Sequence, residues 1–219
     1  MTIEDKLHIS GEHREWVQGP AGMLEVVLDV PVDADRRYLA ILGHPHSLQG
    51  GTMNNKVVTT MARSFRELGI ASIRFNFRGV EGSAGAYDAG VGESEDMLHL
   101  LRLCDRPDLM VFFAGFSFGS YVAFRAQSLY QTEFTHPTAL ITIAPSVHHY
   151  TYAPTPRTPW LVVIGNEDEI VPVEVVSEFV QKQHPAPDIE YFTDTTHFFH
   201  GKLLELKARL QQHIRAWIA

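Results

Sequence analysis

Gly115-Phe116-Ser117-Phe118-Gly119 places a serine between two glycines, directly after the apolar run Met110-Val111-Phe112-Phe113-Ala114 and ahead of a helical stretch. A serine hydroxyl is a weak nucleophile until a neighbouring base takes its proton. A tight strand-to-helix turn lifts such a hydroxyl clear of a sheet. It needs glycine on either side so that the strand and helix backbones pass without a Cβ clash. The Phe118 N–H, at the start of the helix, is then aimed where an oxyanion would form. A glycine-flanked serine in an ordinary β-to-α turn shows the same pattern, so the reading depends on the residues further along the chain.

Downstream of the serine stand an acid and then a histidine, each just after an apolar run, the order expected of a serine-centred triad. Glu167, Asp168 and Glu169 stand together after the run 160–164. His197 stands in the loop after the run 189–192, where the base belongs, whereas His200 lies closer to the terminal helical stretch and is expected to cap or pack there. Asp194 is near His197 in sequence, which does not make it an orienting partner. A second oxyanion donor is expected from the loop 44–56. Pro45 has no N–H, which leaves Leu48 as first choice and His46 as second. His44, His46, His148 and His149 lack a cysteine or carboxylate at ligand spacing, so neither a metal nor a cofactor is expected.

The elements that must position these groups are read from apolar periodicity. Residues 15–17 and 24–30 flank Gly19-Pro20-Ala21-Gly22 and read as an antiparallel hairpin. Short apolar runs at 38–43, 70–77, 109–116, 139–144, 160–164 and 189–192 then alternate with helical stretches at 54–68, 93–104, 120–129, 173–183 and 202–217. That alternation is the signature of β-α-β units around a mostly parallel sheet, here of eight strands. Runs that are apolar throughout are expected for strands covered on both faces.

With 219 residues, 45% hydrophobic and 20% charged, the chain is expected to form one domain, residues 1–219, with a sizeable core. A net charge of −8 argues against a phosphate-binding surface, so nucleic acid is not an expected partner. Cys104 is the sole cysteine, sits among leucines and reads as a small core hydrophobe, and no intramolecular disulfide can form. Residues 1–6 show no apolar signal region, and no run approaches the ~18 apolar residues of a membrane span. A soluble, cytoplasmic protein without a membrane partner is the expectation.

Taken together, the stretches His44-Pro45-His46, Gly50-Gly51-Thr52-Met53-Asn54-Asn55-Lys56, Arg74-Phe75-Asn76-Phe77-Arg78-Gly79-Val80, residues 115–119 and Thr196-His197-Phe198-Phe199-His200-Gly201 carry a resemblance. They resemble the small bacterial α/β-hydrolases related to dienelactone hydrolases and serine esterases. Gly165-Asn166-Glu167-Asp168-Glu169-Ile170-Val171-Pro172 is similar to the superfamily pattern G-x-x-D-x-[IV]-x-P, with Asp168 at its aspartate. The resemblance implies the α/β-hydrolase fold, an eight-stranded mostly parallel sheet with helices on both faces and no cap domain. It also implies a serine hydrolase in which Ser117 attacks an ester or thioester carbonyl, His197 takes the proton and Asp168 orients the imidazole. Two positions depart from the family: Ser47 follows His46 where proline is usual, and Glu81 replaces a glycine.

Dehalogenase chemistry would require an aspartate at position 117, and a cysteine-type dienelactone hydrolase a cysteine. A non-catalytic binding protein on this fold usually lacks a triad member, and candidates for all three stand here. Residues 146–159, between two strands, are too short for a helical lid. The site is therefore expected to lie open, edged by His148, His149, Tyr150 and Tyr152, and to favour small soluble esters over long acyl chains.

Overall fold

Strands that are apolar at every position have no solvent face and must be covered on both sides. In the computed structural model, which describes residues 1–219, β1 (Gly11–Gly19) and β2 (Gly22–Val30) form the hairpin, preceded by the short α1 (Ile3–Lys6). The alternating part comprises β3 (Tyr38–Gly43), α2 (Lys56–Arg66), β4 (Ala71–Phe75), α3 (Val91–Arg102), β5 (Met110–Phe116) and α4 (Phe118–Glu133). It continues through β6 (Thr138–Ile143), β7 (Trp160–Gly165), α5 (Val173–Gln181), β8 (Asp188–Phe192) and α6 (Leu203–Ile218). Every residue of β3, β4, β6 and β7 is buried, whereas β1 alternates between half-buried and exposed.

The eight strands form one sheet in the order β1-β2-β4-β3-β5-β6-β7-β8, with β1 and β2 antiparallel and the other six parallel. From β3 the chain moves one way to β4, then returns past β3 to β5 and continues outward. Right-handed crossovers therefore place α2 on one face and α3, α4 and α5 on the other. Accordingly α2 packs on α6 and α3 on α4. The reversal between β3 and β5 opens a crevice at their carboxyl ends, where such sheets bind ligands. The β6–β7 connection, residues 144–159, contains no helix.

The expected fold class and all eight strands are present. The hairpin strand is longer than the three residues its apolar pattern suggested, because Glu12, Arg14, Trp16 and Gln18 face solvent and hide the alternation. The short α1, of four residues, carries no apolar periodicity of its own. Thr2 caps it in a capping box with Asp5, a signal that precedes only four helical residues. No helix is long and apolar enough to cross a membrane.

Buried polar groups pin the loops around the crevice. Arg74 on β4 donates to Asp29 on β2 at 2.9 Å, to Glu12 on β1 at 2.8 Å and to Asn54 ahead of α2 at 2.9 Å. Asn76 accepts from the Met53 N–H at 3.0 Å and donates to Glu25 and Glu81. Arg78 forms a bidentate pair with Asp96 of α3, both bonds at 2.8 Å, and the Asp96 carboxylate has no solvent exposure. Glu81 has φ +48°, a conformation that glycine favours, consistent with its standing at a family glycine position. Its carboxylate bond to Asn76 helps offset the strain.

His44, just past β3, is fully buried and stacks on Phe77 with ring centroids 3.9 Å apart. Its Nδ1–H donates to the Pro45 carbonyl at 2.7 Å and its Nε2 accepts the Phe77 N–H at 2.9 Å. Both ring nitrogens are thus engaged by a neutral imidazole. Burial pushes its pKa down from 6.5 to about 4.

Arg78→Ala strands the Asp96 carboxylate and is expected to cost about 3–5 kcal/mol in urea unfolding; a loss below ~1 kcal/mol would show that the pair contributes little. For His44, the unfolded chain takes up the proton first as pH falls, so stability declines between about 6.5 and about 4. The full effect is on the order of 3 kcal/mol. His44→Gln should flatten that part of the stability profile, and an unchanged acid slope would assign it to other groups.

Candidate active site

Ser117 sits where β5 turns into α4, at φ +55° and ψ −119°. A serine there is strained by about 1–3 kcal/mol, and three glycines permit the turn. A Cβ on Gly115 would lie 2.0 Å from the Gly119 carbonyl oxygen, and one on Gly119 would lie 2.4 Å from the Gly43 carbonyl carbon. The Ser117 N–H donates to the Ile143 carbonyl at 2.8 Å, tying the turn to β6. Ser117 is the N-cap of α4 yet makes no capping bond.

The Ser117 Oγ instead lies 3.1 Å from His197 Nε2, and His197 Nδ1 lies 2.8 Å from Asp168 Oδ2. An ionised carboxylate only accepts, so Nδ1 carries the proton and Nε2 is left to accept from the serine hydroxyl. All three side chains are buried. Asp168 Oδ1 also accepts the Ile170 and Val171 N–H groups at 2.9 and 2.7 Å, which orients the carboxylate.

The structure separates the rivals left by the sequence. Among the three acids Asp168 meets the imidazole, while Glu167 is exposed. Glu169 does something the spacing did not show: its Oε2 accepts the His197 backbone N–H at 3.0 Å, tying the histidine loop to the acid loop. The Glu167 N–H donates to the Thr195 carbonyl at 3.0 Å, a second tie between these loops. His200 and Asp194 are exposed and away from this chain of hydrogen bonds.

The Leu48 expectation is corrected. The Leu48 N–H donates to His46 Nδ1 at 3.3 Å, its side chain is 72% exposed, and it does not line the pocket beside Ser117. The loop makes a single 3-10 turn over Ser47–Gln49, and His46 is its cap. His46 does line the pocket, and its backbone N–H donates to no other protein group. Phe118, the first residue of α4, has no intrahelical acceptor for its N–H. A Cβ on Gly51 would lie 2.1 Å from the Pro45 carbonyl oxygen, so the loop closes tightly behind His46.

The pocket is a cleft of about 90 Å³ that includes Ser117, His197, Gln49, Asn55, Ile170 and Phe198. Of the rim expected from the β6–β7 loop, His148 and His149 are exposed, and His148 is close enough to feel both Asp168 and His197. Partial desolvation, with His149 beside it, lowers the His148 pKa. Tyr152 is no part of the rim. It is 5% exposed and packs on Tyr121 and Phe124 of α4 and Phe179 of α5, which places its ring in the core between these helices. Tyr150 is half-buried beside the site, its hydroxyl 3.1 Å from that of Tyr87 and its ring against Phe118.

No protein-family model matches the chain. It is 32% identical over 210 residues to an uncharacterised protein of Rickettsia prowazekii, covering 91% of this chain and 87% of that one. A solved α/β serine hydrolase without a lid from Xanthomonas campestris is 40% identical, with a TM-score of 0.86 and 94% of each chain covered. An α/β serine hydrolase homologue from Coxiella burnetii is 41% identical, with a TM-score of 0.84, covering 91% of this chain and 96% of that one. On sequence, sheet topology and the helix-free β6–β7 connection alike, this chain belongs to the α/β serine hydrolases without a lid.

Proposed function

We propose that the protein hydrolyses small carboxylic esters through an acyl-enzyme on Ser117, with His197 as general base and Asp168 as orienting acid. The observation that carries this reading is the unbroken hydrogen-bond chain from Ser117 Oγ through both ring nitrogens of His197 to Asp168. Ser117 Oγ attacks the ester carbonyl while its proton passes to His197 Nε2. The imidazolium formed is stabilised by Asp168, which stays ionised. His197 then protonates the departing alkoxide, and the carbonyl re-forms as the acyl-enzyme. Water, deprotonated by His197, attacks that acyl group and releases the acid and free Ser117.

The oxyanion is held by the Phe118 and His46 N–H groups, with Phe118 at the positive end of the α4 dipole. The cleft volume of about 90 Å³ supports a small substrate, since pockets for drug-sized ligands are several-fold larger. Without a lid, little apolar area is available to bury a long chain, at about 0.8 kcal/mol per methylene.

Ser117→Ala should abolish fluorophosphonate labelling and lower ester turnover on the order of 10⁴-fold or more. Asp168→Asn should lower kcat by about 10⁴-fold, while Glu167→Gln has little effect. Labelling that maps to another serine would remove Ser117 from the mechanism. Across acetyl to palmitoyl esters below micelle formation, kcat/KM should peak at short chains; a steady rise to sixteen carbons would contradict the small-substrate reading.

A further inference from the structure

A pocket shaped for an alkyl chain is lined by apolar side chains. The cleft beside Ser117 has only Ile170 and Phe198 as large apolar side chains, and much of the remaining lining is polar. Asn55, Gln49 and His46 also line it. Asn55 Oδ1 is already engaged as the α2 N-cap, accepting the Val57 N–H at 2.9 Å, so its free groups are the two Nδ2 hydrogens. His46 Nδ1 accepts the Leu48 N–H, which leaves the proton of this neutral ring on Nε2. The Gln49 side chain contributes a further amide donor pair and one acceptor oxygen, none of them bonded within the protein.

This set is rich in donors and carries no lysine or arginine. An alkyl substituent would desolvate these groups without replacing their hydrogen bonds, which is unfavourable for each group so buried. A carboxylate would satisfy the donors but meet no cation. A hydroxyl, keto or ether oxygen satisfies them without burying a charge. We infer that this cleft selects short esters bearing an uncharged oxygen substituent, with Gln49 and Asn55 as the specificity-determining residues. This inference rests on the ester-hydrolase reading of the same site.

Matched substrates test it on either side of the scissile bond. Methyl butyrate is compared with methyl 3-hydroxybutyrate, and propyl acetate with glycerol monoacetate. In at least one pair the hydroxylated ester should be favoured by about tenfold or more in kcat/KM. Asn55→Asp keeps the cap acceptor but replaces the amide donors with lone pairs, and Gln49→Leu removes the second amide from an exposed position. Each should lower that ratio, with thermal unfolding measured to show that the variants fold. A second arm uses two phosphonate probes with the same leaving group, one carrying a butyl and one a 3-hydroxybutyl substituent, and compares their rates of attachment to Ser117. Faster attachment of the hydroxylated probe without any ester turnover would overturn the hydrolase reading while supporting the polar pocket. Equal kcat/KM within both ester pairs or, where no ester is turned over, equal attachment of the two probes or no labelling would overturn the pocket inference.

Discussion

Three backbones meet at one point in this molecule: the end of β3 at Gly43, the end of β5 at Gly115 and the first turn of α4 at Gly119. A single added methyl at Gly115 or Gly119 would fall within 2.0 to 2.4 Å of a neighbouring carbonyl group. The contact lets α4 start immediately over the sheet, which forces Ser117 into its positive-φ turn and turns its side chain away from the capping role a serine usually takes. The freed hydroxyl faces the histidine loop. The same crossing brings the β3 loop beside the helix start, so the Ser117 hydroxyl and the Phe118 and His46 N–H groups are brought to one cleft by one packing event.

The two other loops of the site are held by bonds that do no chemistry. The acid and histidine loops grip one another through the Glu167 N–H to Thr195 carbonyl bond and the Glu169 carboxylate on the His197 N–H. The first loop is held from beneath by His44, whose neutral ring bridges Pro45 and Phe77, and by Asn76, which reaches Met53. Arg74 ties the same region to the hairpin strands. These buried polar groups are nearly all satisfied, which is what makes a polar network rigid rather than destabilising. Rigidity of this kind is what the proposed oxyanion stabilisation requires, since it depends on donors fixed before charge develops.

The absence of a lid and the polarity of the cleft belong together. A helical cap would supply the apolar walls that a long acyl chain needs, and the β6–β7 loop supplies none. That loop instead sends Tyr152 inward to complete the packing of α4 against α5, and sets Tyr150 against Phe118. Its histidines, His148 and His149, are exposed. The cleft beside Ser117 is therefore lined by Asn55, Gln49 and His46, with Ile170 and Phe198 as its large apolar side chains.

Sequence by itself determined the alternating α/β order, the number of strands, the nucleophile turn and the serine–acid–histidine order. All of these are local: apolar runs, glycine spacing and position relative to a strand end. Asp168 was singled out from its two acidic neighbours only through a family pattern, since periodicity cannot say which of three consecutive side chains turns inward. Tertiary structure alone decided that Glu169 reaches back to the His197 N–H, that His46 rather than Leu48 presents a free N–H, and that Tyr152 is core. Each of these depends on contacts between segments 28 residues apart or on the path of an irregular loop. A loop's path is set by which of its amides are already satisfied, and that is settled by neighbours the chain meets only after folding.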